Sequence, residues 1–164
     1  MEGGVEIVEV GGDALPLDLL LLADPSPARI GAYLHGSRAF AARAGSDVAG
    51  ACLVRRTAPD AWELENIAVR PALQRSGIGT RLLRHAMRAV GAAGAARLEL
   101  GTGAFGAPLA FYQRHGFRVV AVERDYFLRH YPEPLFEDGI QHKDRLRLAY
   151  AYPPHGSDAR AAAR

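Results

Sequence analysis

Gly77 and Gly79 follow Gln74-Arg75-Ser76 and open a run in which Leu82, Leu83, Ala86, Met87 and Val90 recur at helical spacing. A helix start carries unpaired backbone N–H groups and the positive end of the helix dipole, so it is a natural seat for a phosphate anion. Glycines there clear the approach of a pyrophosphate, although a two-glycine helix start alone is equally consistent with a plain tight turn. Upstream, Glu63 and Glu65 stand two apart in a run from Trp62 to Arg70. Strand alternation puts both carboxylates on one face, where either, or a water it holds, could take a proton from an amine. The competing reading is a pair of surface carboxylates balancing arginines. Asp125, Tyr126, His130, Tyr131, Glu133, Glu137 and Asp138 crowd the connection before the last strand, as a pocket for a cationic amine would, or as an acidic surface loop would. His142 is the histidine nearest that strand, and no His/Cys/Asp spacing resembles a metal site, so no metal is expected.

These groups need elements to hold them. Val5 to Val10 alternates and ends at Gly11-Gly12, which predicts an opening strand. Leucine-rich helices are predicted over 14–22 and 25–35, the second introduced by Asp24-Pro25-Ser26-Pro27. Runs over 37–44, 47–56 and 62–70, with turn residues at Gly45-Ser46-Asp47 and Pro59-Asp60, predict an antiparallel meander. After the Gly77 helix, which Gly91 and Gly94 end, come a strand over 96–100, a short helix over 108–115 stopped by Gly116, and strands over 117–123 and 145–152. Residues 153–164, rich in Ala, Arg, Pro and Gly, predict a disordered tail.

At 164 residues, about half of them hydrophobic, the chain suits one domain, placed at 1–152. Twenty basic against eighteen acidic side chains leave a net charge of +2, and no block of like charge marks a nucleic-acid tail or a membrane patch. The lone Cys52 sits between Ala51 and Leu53 and reads as a buried strand thiol in a reducing compartment. The apolar run Leu19 to Ala23 lacks a basic leader and falls far short of the roughly 20 residues a membrane helix needs. A cytoplasmic protein is expected, with a homodimer left open.

Two ordered motifs narrow the chemistry. One is Asn66-Ile67-Ala68-Val69-Arg70-Pro71-Ala72-Leu73-Gln74-Arg75-Ser76-Gly77-Ile78-Gly79, and the other is Phe111-Tyr112-Gln113-Arg114-His115-Gly116-Phe117. Together they resemble the GNAT superfamily of acetyl-CoA-dependent N-acetyltransferases. The likeness covers roughly residues 5 to 152 and is strongest from 62 to 122, while Phe127-Leu128-Arg129-His130-Tyr131 looks like a bacterial subgroup of undefined substrate. It implies an α/β (α+β) GNAT fold, a central mixed, mostly antiparallel sheet of about seven strands flanked by about four helices.

The resemblance also implies roles. Acetyl-CoA would be the cosubstrate, its pyrophosphate held by backbone amides from Arg75 and Ser76 through Gly77, Ile78 and Gly79 to Thr80, within the motif that Gln74 opens. Backbone groups of Ile67, Ala68 and Val69 would pair with the pantetheine arm like an added strand. Arg75 and Arg81 are candidates for the ribose phosphate, with solvated surface charge as the alternative. Tyr112 would be the general acid that protonates the departing thiolate, against the plainer reading of a core tyrosine beside Phe117. Glu63 and Glu65 are the candidate bases, and an N–H near Val69 would meet the oxyanion. One departure stands out: Gly101-Thr102-Gly103-Ala104-Phe105-Gly106 lacks the asparagine many members place there, and it reads as a flexible glycine loop in which Thr102 could bind the pantetheine or the acceptor. An N-acetyltransferase for a primary amine of a small molecule is the leading expectation. Protein N-terminal or lysine acetylation and a non-catalytic acyl-CoA sensor are the alternatives.

Overall fold

The structure, a computed structural model, describes residues 4–154, so most of the predicted tail lies outside the described residues. Strand β1 (Glu6–Val10) is followed by a 3-10 turn at Gly12–Ala14. The leucine run then makes a single helical turn, α1 (Leu17–Leu20), and not a helix over 14–22. Pro16 sits at its N-cap, and the chain must leave helical geometry before Pro25. Helix α2 (Pro27–Leu34) starts where its residues dictate: Ser26 Oγ accepts the Arg29 N–H at 3.3 Å, and Pro27 takes the first helical position.

The meander is β2 (Arg38–Ala44), β3 (Asp47–Ala58) and β4 (Ala61–Val69), with Gly45 supplying the left-handed turn residue at φ 64°. Beyond a 3-10 turn at Pro71–Leu73 come α3 (Ile78–Ala92), β5 (Arg97–Gly103), α4 (Ala107–Arg114) and β6 (Arg118–Glu123). The connection from 124 to 144 is built rather than loose. It contains α5 (Tyr126–His130) and a small hairpin of β7 (Phe136–Glu137) and β8 (Ile140–Gln141) before β9 (Arg145–Ala151). The described residues therefore hold five α-helices where about four were expected, α5 being the addition.

The main sheet has seven strands in the order β1-β2-β3-β4-β5-β9-β6, and every neighbouring pair is antiparallel except β4 and β5. The last strand enters between β5 and β6, which brings Arg145 and Arg147 into the middle of the molecule. One face buries the apolar stripe of α3, Ile78, Leu82, Leu83, Ala86 and Val90, against Phe40, Cys52, Val54, Leu98, Leu100 and Leu148. The other face buries Leu19, Leu20, Ile30 and Tyr33 of α1 and α2 against Ala39, Ala41, Ala51 and Leu53. Each fully buried leucine or isoleucine contributes about 1.5–3 kcal/mol relative to leaving it in water, so both faces stay covered and the sheet is fixed as a platform. Among the described residues no helix is long and apolar enough to cross a membrane.

Candidate active site

Parallel β4 and β5 pair for only three residues, Ala61–Glu63 with Arg97–Glu99, and then part. From Leu64 to Val69 the β5-facing edge of β4 has no strand partner among the described residues, so its backbone groups open into a cleft of about 830 Å³. A bulge shapes this edge. Leu53 stands opposite Asn66 and Val54 opposite Leu64, which makes Glu65 the extra residue. Past the bulge the alternation is reset: Leu64, Ile67 and Val69 pack on the α3 side, while Ala68 and Asn66 turn to the α1–α2 side. Asn66 Nδ2 donates to the Leu20 carbonyl and to Tyr33 Oη, both at 3.0 Å, and so ties the bulged strand to both helices.

At one end of the cleft lies the start of α3. Arg75 (φ 62°) and Gly77 (φ 87°) are both left-handed, which curls the chain into the helix and leaves its first N–H groups facing outward. A Cβ added at Gly77 would meet nothing within 4 Å, so the space before it is open. Gln74, Arg75, Gly77, Gly79 and Thr80 line the cleft together with Ile67, Ala68 and Val69. Ser76 and Ile78, grouped with them by sequence, do not line it: the Ser76 hydroxyl is turned back onto the Leu73 carbonyl, and Ile78 is buried under the sheet. Gln74 Nε2 donates to the Val69 carbonyl at 3.1 Å and tethers the turn to the strand end. Arg81 is absent from the lining.

The two glutamates both line the cleft, in different states. Glu63 is locked in a two-pronged pair with Arg147 at 2.6 and 2.7 Å. Glu65 accepts from Arg55 Nε through Oε1 at 2.8 Å, with Arg55 Nη2 2.6 Å from the same oxygen, and no described residue hydrogen-bonds its Oε2. Burial pushes the Glu65 carboxyl above the ordinary range, against the pull of Arg55 and with the help of neighbouring Glu63.

Tyr112 comes from α4 on the opposite face. Its ring packs edge-on against Phe117 with centroids 5.9 Å apart, and 8% of the residue is exposed, at the cleft. No described residue hydrogen-bonds its hydroxyl. Burial raises its pKa well above that of a free tyrosine, so at neutral pH the phenol keeps its proton. The ring is packed as a core tyrosine would be, and among the described residues its hydroxyl has no hydrogen-bond partner.

The glycine-rich segment is not a slack loop. Its first three residues are the end of β5, Thr102 is buried at the cleft wall, and the glycines make room for specific side chains. A Cβ at Gly101 would fall 2.6 Å from Arg145 Cδ, one at Gly103 2.5 Å from His142 Cε1, and one at Gly106 2.6 Å from Glu137 Oε1. His142 stacks on Phe105 at 4.2 Å, and its Nε2 pairs with Glu137 at 2.9 Å. Of the acidic and aromatic residues noted in the sequence, Tyr126, Tyr131, Glu137 and His142 line the cleft, whereas Asp125, His130, Glu133 and Asp138 do not. Sequence reasoning missed Asp24, Arg29, Tyr33 and Arg145, which also line it. Asp24 alone had a local signal, its place at the entry to α2. The others are joined only through contacts far apart in the chain.

Residues 35–119 match the acetyltransferase (GNAT) domain family. The chain is 42% identical over 145 residues, 88% of its length and 93% of the relative's, to the uncharacterized N-acetyltransferase YvbK of Bacillus subtilis (strain 168). Its fold superposes on an IAA acetyltransferase from Bacillus cereus ATCC 14579 with a TM-score of 0.87 at 41% identity, covering 91% of this chain and all 100% of the other. A GNAT family acetyltransferase from Elizabethkingia anophelis, solved with acetyl-CoA bound, gives 0.86 at 32% identity over 91% and 99% of the two chains. The family match over half of the chain and identity of this order over nearly the full length of each partner show that the chain belongs to the GNAT family of acetyltransferases.

Proposed function

We propose that the protein transfers the acetyl group of acetyl-CoA directly to a primary amine of a small molecule, with Glu65 as base and Tyr112 as general acid. The observation that carries the reading is the parting of β4 and β5, which leaves Glu65 and Tyr112 lining one cleft from opposite faces of the sheet. The residues fit the cofactor: an open left-handed glycine at a helix start suits a pyrophosphate, and an unpaired strand edge suits the amides of a pantetheine arm. The acetyl-CoA held by the Elizabethkingia relative supports the same assignment.

In this reading Glu65, directly or through a water, takes a proton from the incoming ammonium, and the freed amine attacks the acetyl carbonyl carbon. The oxygen that gains charge is met by a backbone N–H near Val69. As the carbon–sulfur bond breaks, Tyr112 gives its proton to the leaving thiolate, the second proton of the attacking nitrogen passes through water to restore the tyrosine, Glu65 releases the first to solvent, and the products are an acetamide and free CoA. Glu63, saturated by Arg147, positions the strand rather than moving protons. Tyr112→Phe is the test, because it keeps the ring packing and removes only the donor. Acetyl-CoA affinity and acceptor KM should hold, while turnover drops roughly 10²- to 10⁴-fold. Undiminished turnover in the Phe variant, measured where chemistry is rate-limiting, would remove Tyr112 from the mechanism.

A further inference from the structure

Most arginines that reach the middle of the molecule are satisfied by a carboxylate. Arg55 reaches Glu65 at 2.6 Å, Arg145 reaches Glu123 at 2.9 Å, and Arg147 reaches Glu63 at 2.6 Å. Arg29, on the first turn of α2 and lining the cleft, is different. Its nearest carboxylate oxygen, Asp24 Oδ2, is 3.7 Å from Nε, which is too long for a hydrogen bond. Among the described residues its guanidinium makes one hydrogen bond, from Nη2 to Tyr126 Oη at 2.6 Å, and Nε is buried without an acceptor. Asp24 is occupied elsewhere: Oδ1 accepts from the Ser26 N–H and Tyr131 Oη, both at 3.1 Å, and Oδ2 accepts from Tyr33 Oη at 3.4 Å.

The guanidinium is also held in place. Its central carbon lies 5.5 Å from the Tyr126 ring centroid and 5.4 Å from that of Tyr131, so two aromatic rings pin it. A rigid, half-buried arginine fork with unused donors is the group that binds a carboxylate in two-pronged fashion, and little side-chain freedom remains to be lost when it does. Glu65 lines the same cleft with its Oε2 free, and the two opposite charges are not within 4.0 Å of each other. A cleft that keeps a cation and an anion apart, each partly unsatisfied, is complementary to a ligand with both charges in the reverse order.

We propose that the acceptor is an amino-acid-like zwitterion whose carboxylate docks on Arg29 while its amine faces Glu65. This rests on the acetyltransferase reading above and adds the substrate class. The test is a set of matched acceptors, free amino acids and short ω-amino acids, each beside its own carboxamide, followed by CoA release with intact-mass detection of product. Wild type should favour the free acid of the preferred pair by at least about 10-fold. Arg29→Gln should raise the KM of that acid by about 10- to 100-fold, the span of a lost charge-assisted hydrogen bond, with kcat little changed, so that the acid-over-amide ratio collapses. Arg29→Lys should restore part of the preference. Equal use of acids and amides by wild type, or an equal loss on both in Arg29→Gln, would overturn the carboxylate site and leave acetyl transfer standing. Product from simple diamines but from no member of this set would overturn the carboxylate site alone, whereas binding of acetyl-CoA with no product from either set would overturn the acetyltransferase reading, and this proposal with it.

Discussion

Replacing Gly77 by aspartate separates what the backbone needs at the start of α3 from what a ligand needs there. Gly77 sits at φ 87° and ψ 0°, a left-handed conformation that costs a residue with a Cβ about 1–2 kcal/mol. A Cβ there meets nothing within 4 Å, so no steric cost is added. At roughly 2–4 °C per kcal/mol for a chain of this size, Gly77→Asp should lower Tm by about 2–8 °C and stay folded at 25 °C. Its carboxylate, however, points into the space assigned to the pyrophosphate. A unit charge about 4–5 Å from a phosphate at an effective dielectric near 20 costs ~3–4 kcal/mol, or about 10²- to 10³-fold in affinity. Gly77→Asn carries the same backbone strain without the charge. Calorimetric titration with acetyl-CoA should therefore show the Asp variant about 10²- to 10³-fold weaker than the Asn variant, with the gap narrowing as salt rises. Equal affinities for Asp and Asn would refute the assignment of phosphate to this helix start.

Two further outcomes follow from the geometry. Burial raises the Glu65 pKa, and a base must be ionised to act, so wild-type kcat/KM should fall as pH drops through a value above the ordinary carboxylate range. Glu65→Gln should cost roughly 10²-fold in turnover and abolish that acid limb, and an unchanged pH profile in the variant would assign the base elsewhere. Gly103→Ala would place a Cβ 2.5 Å from His142 Cε1, on a ring held by Phe105 and Glu137. The overpacking should cost about 1–3 kcal/mol and lower Tm by roughly 2–12 °C, and a thermal melt identical to wild type would show that the ring is free to move.

Much of the local structure around the candidate site was readable because its signals are local. The glycine helix start of α3 depends on residues 74 to 80 alone, and the short helix with Tyr112 near its end depends on Pro108 and Gly116, so the chain carries both in consecutive letters. The same holds for the strands, whose alternation or apolar runs mark them one at a time.

What the residues alone left open is set by contacts between distant segments. Whether Glu63 or Glu65 is free depends on which arginine reaches each, and Arg147 reaches Glu63 only because β9 enters the sheet beside β5. The bulge at Glu65 arises from register against β3, so strict alternation along β4 could not show that Asn66 turns toward α1 and α2. Gly101, Gly103 and Gly106 look like flexibility until Arg145, His142 and Glu137 are set against them. Arg29 and Tyr126 are 97 residues apart and carry no mutual signal in the chain. A helix start or an alternating strand is a property of neighbours along the backbone, whereas the pairing of charges in a cleft is decided by which strands lie side by side, and only the folded sheet settles that.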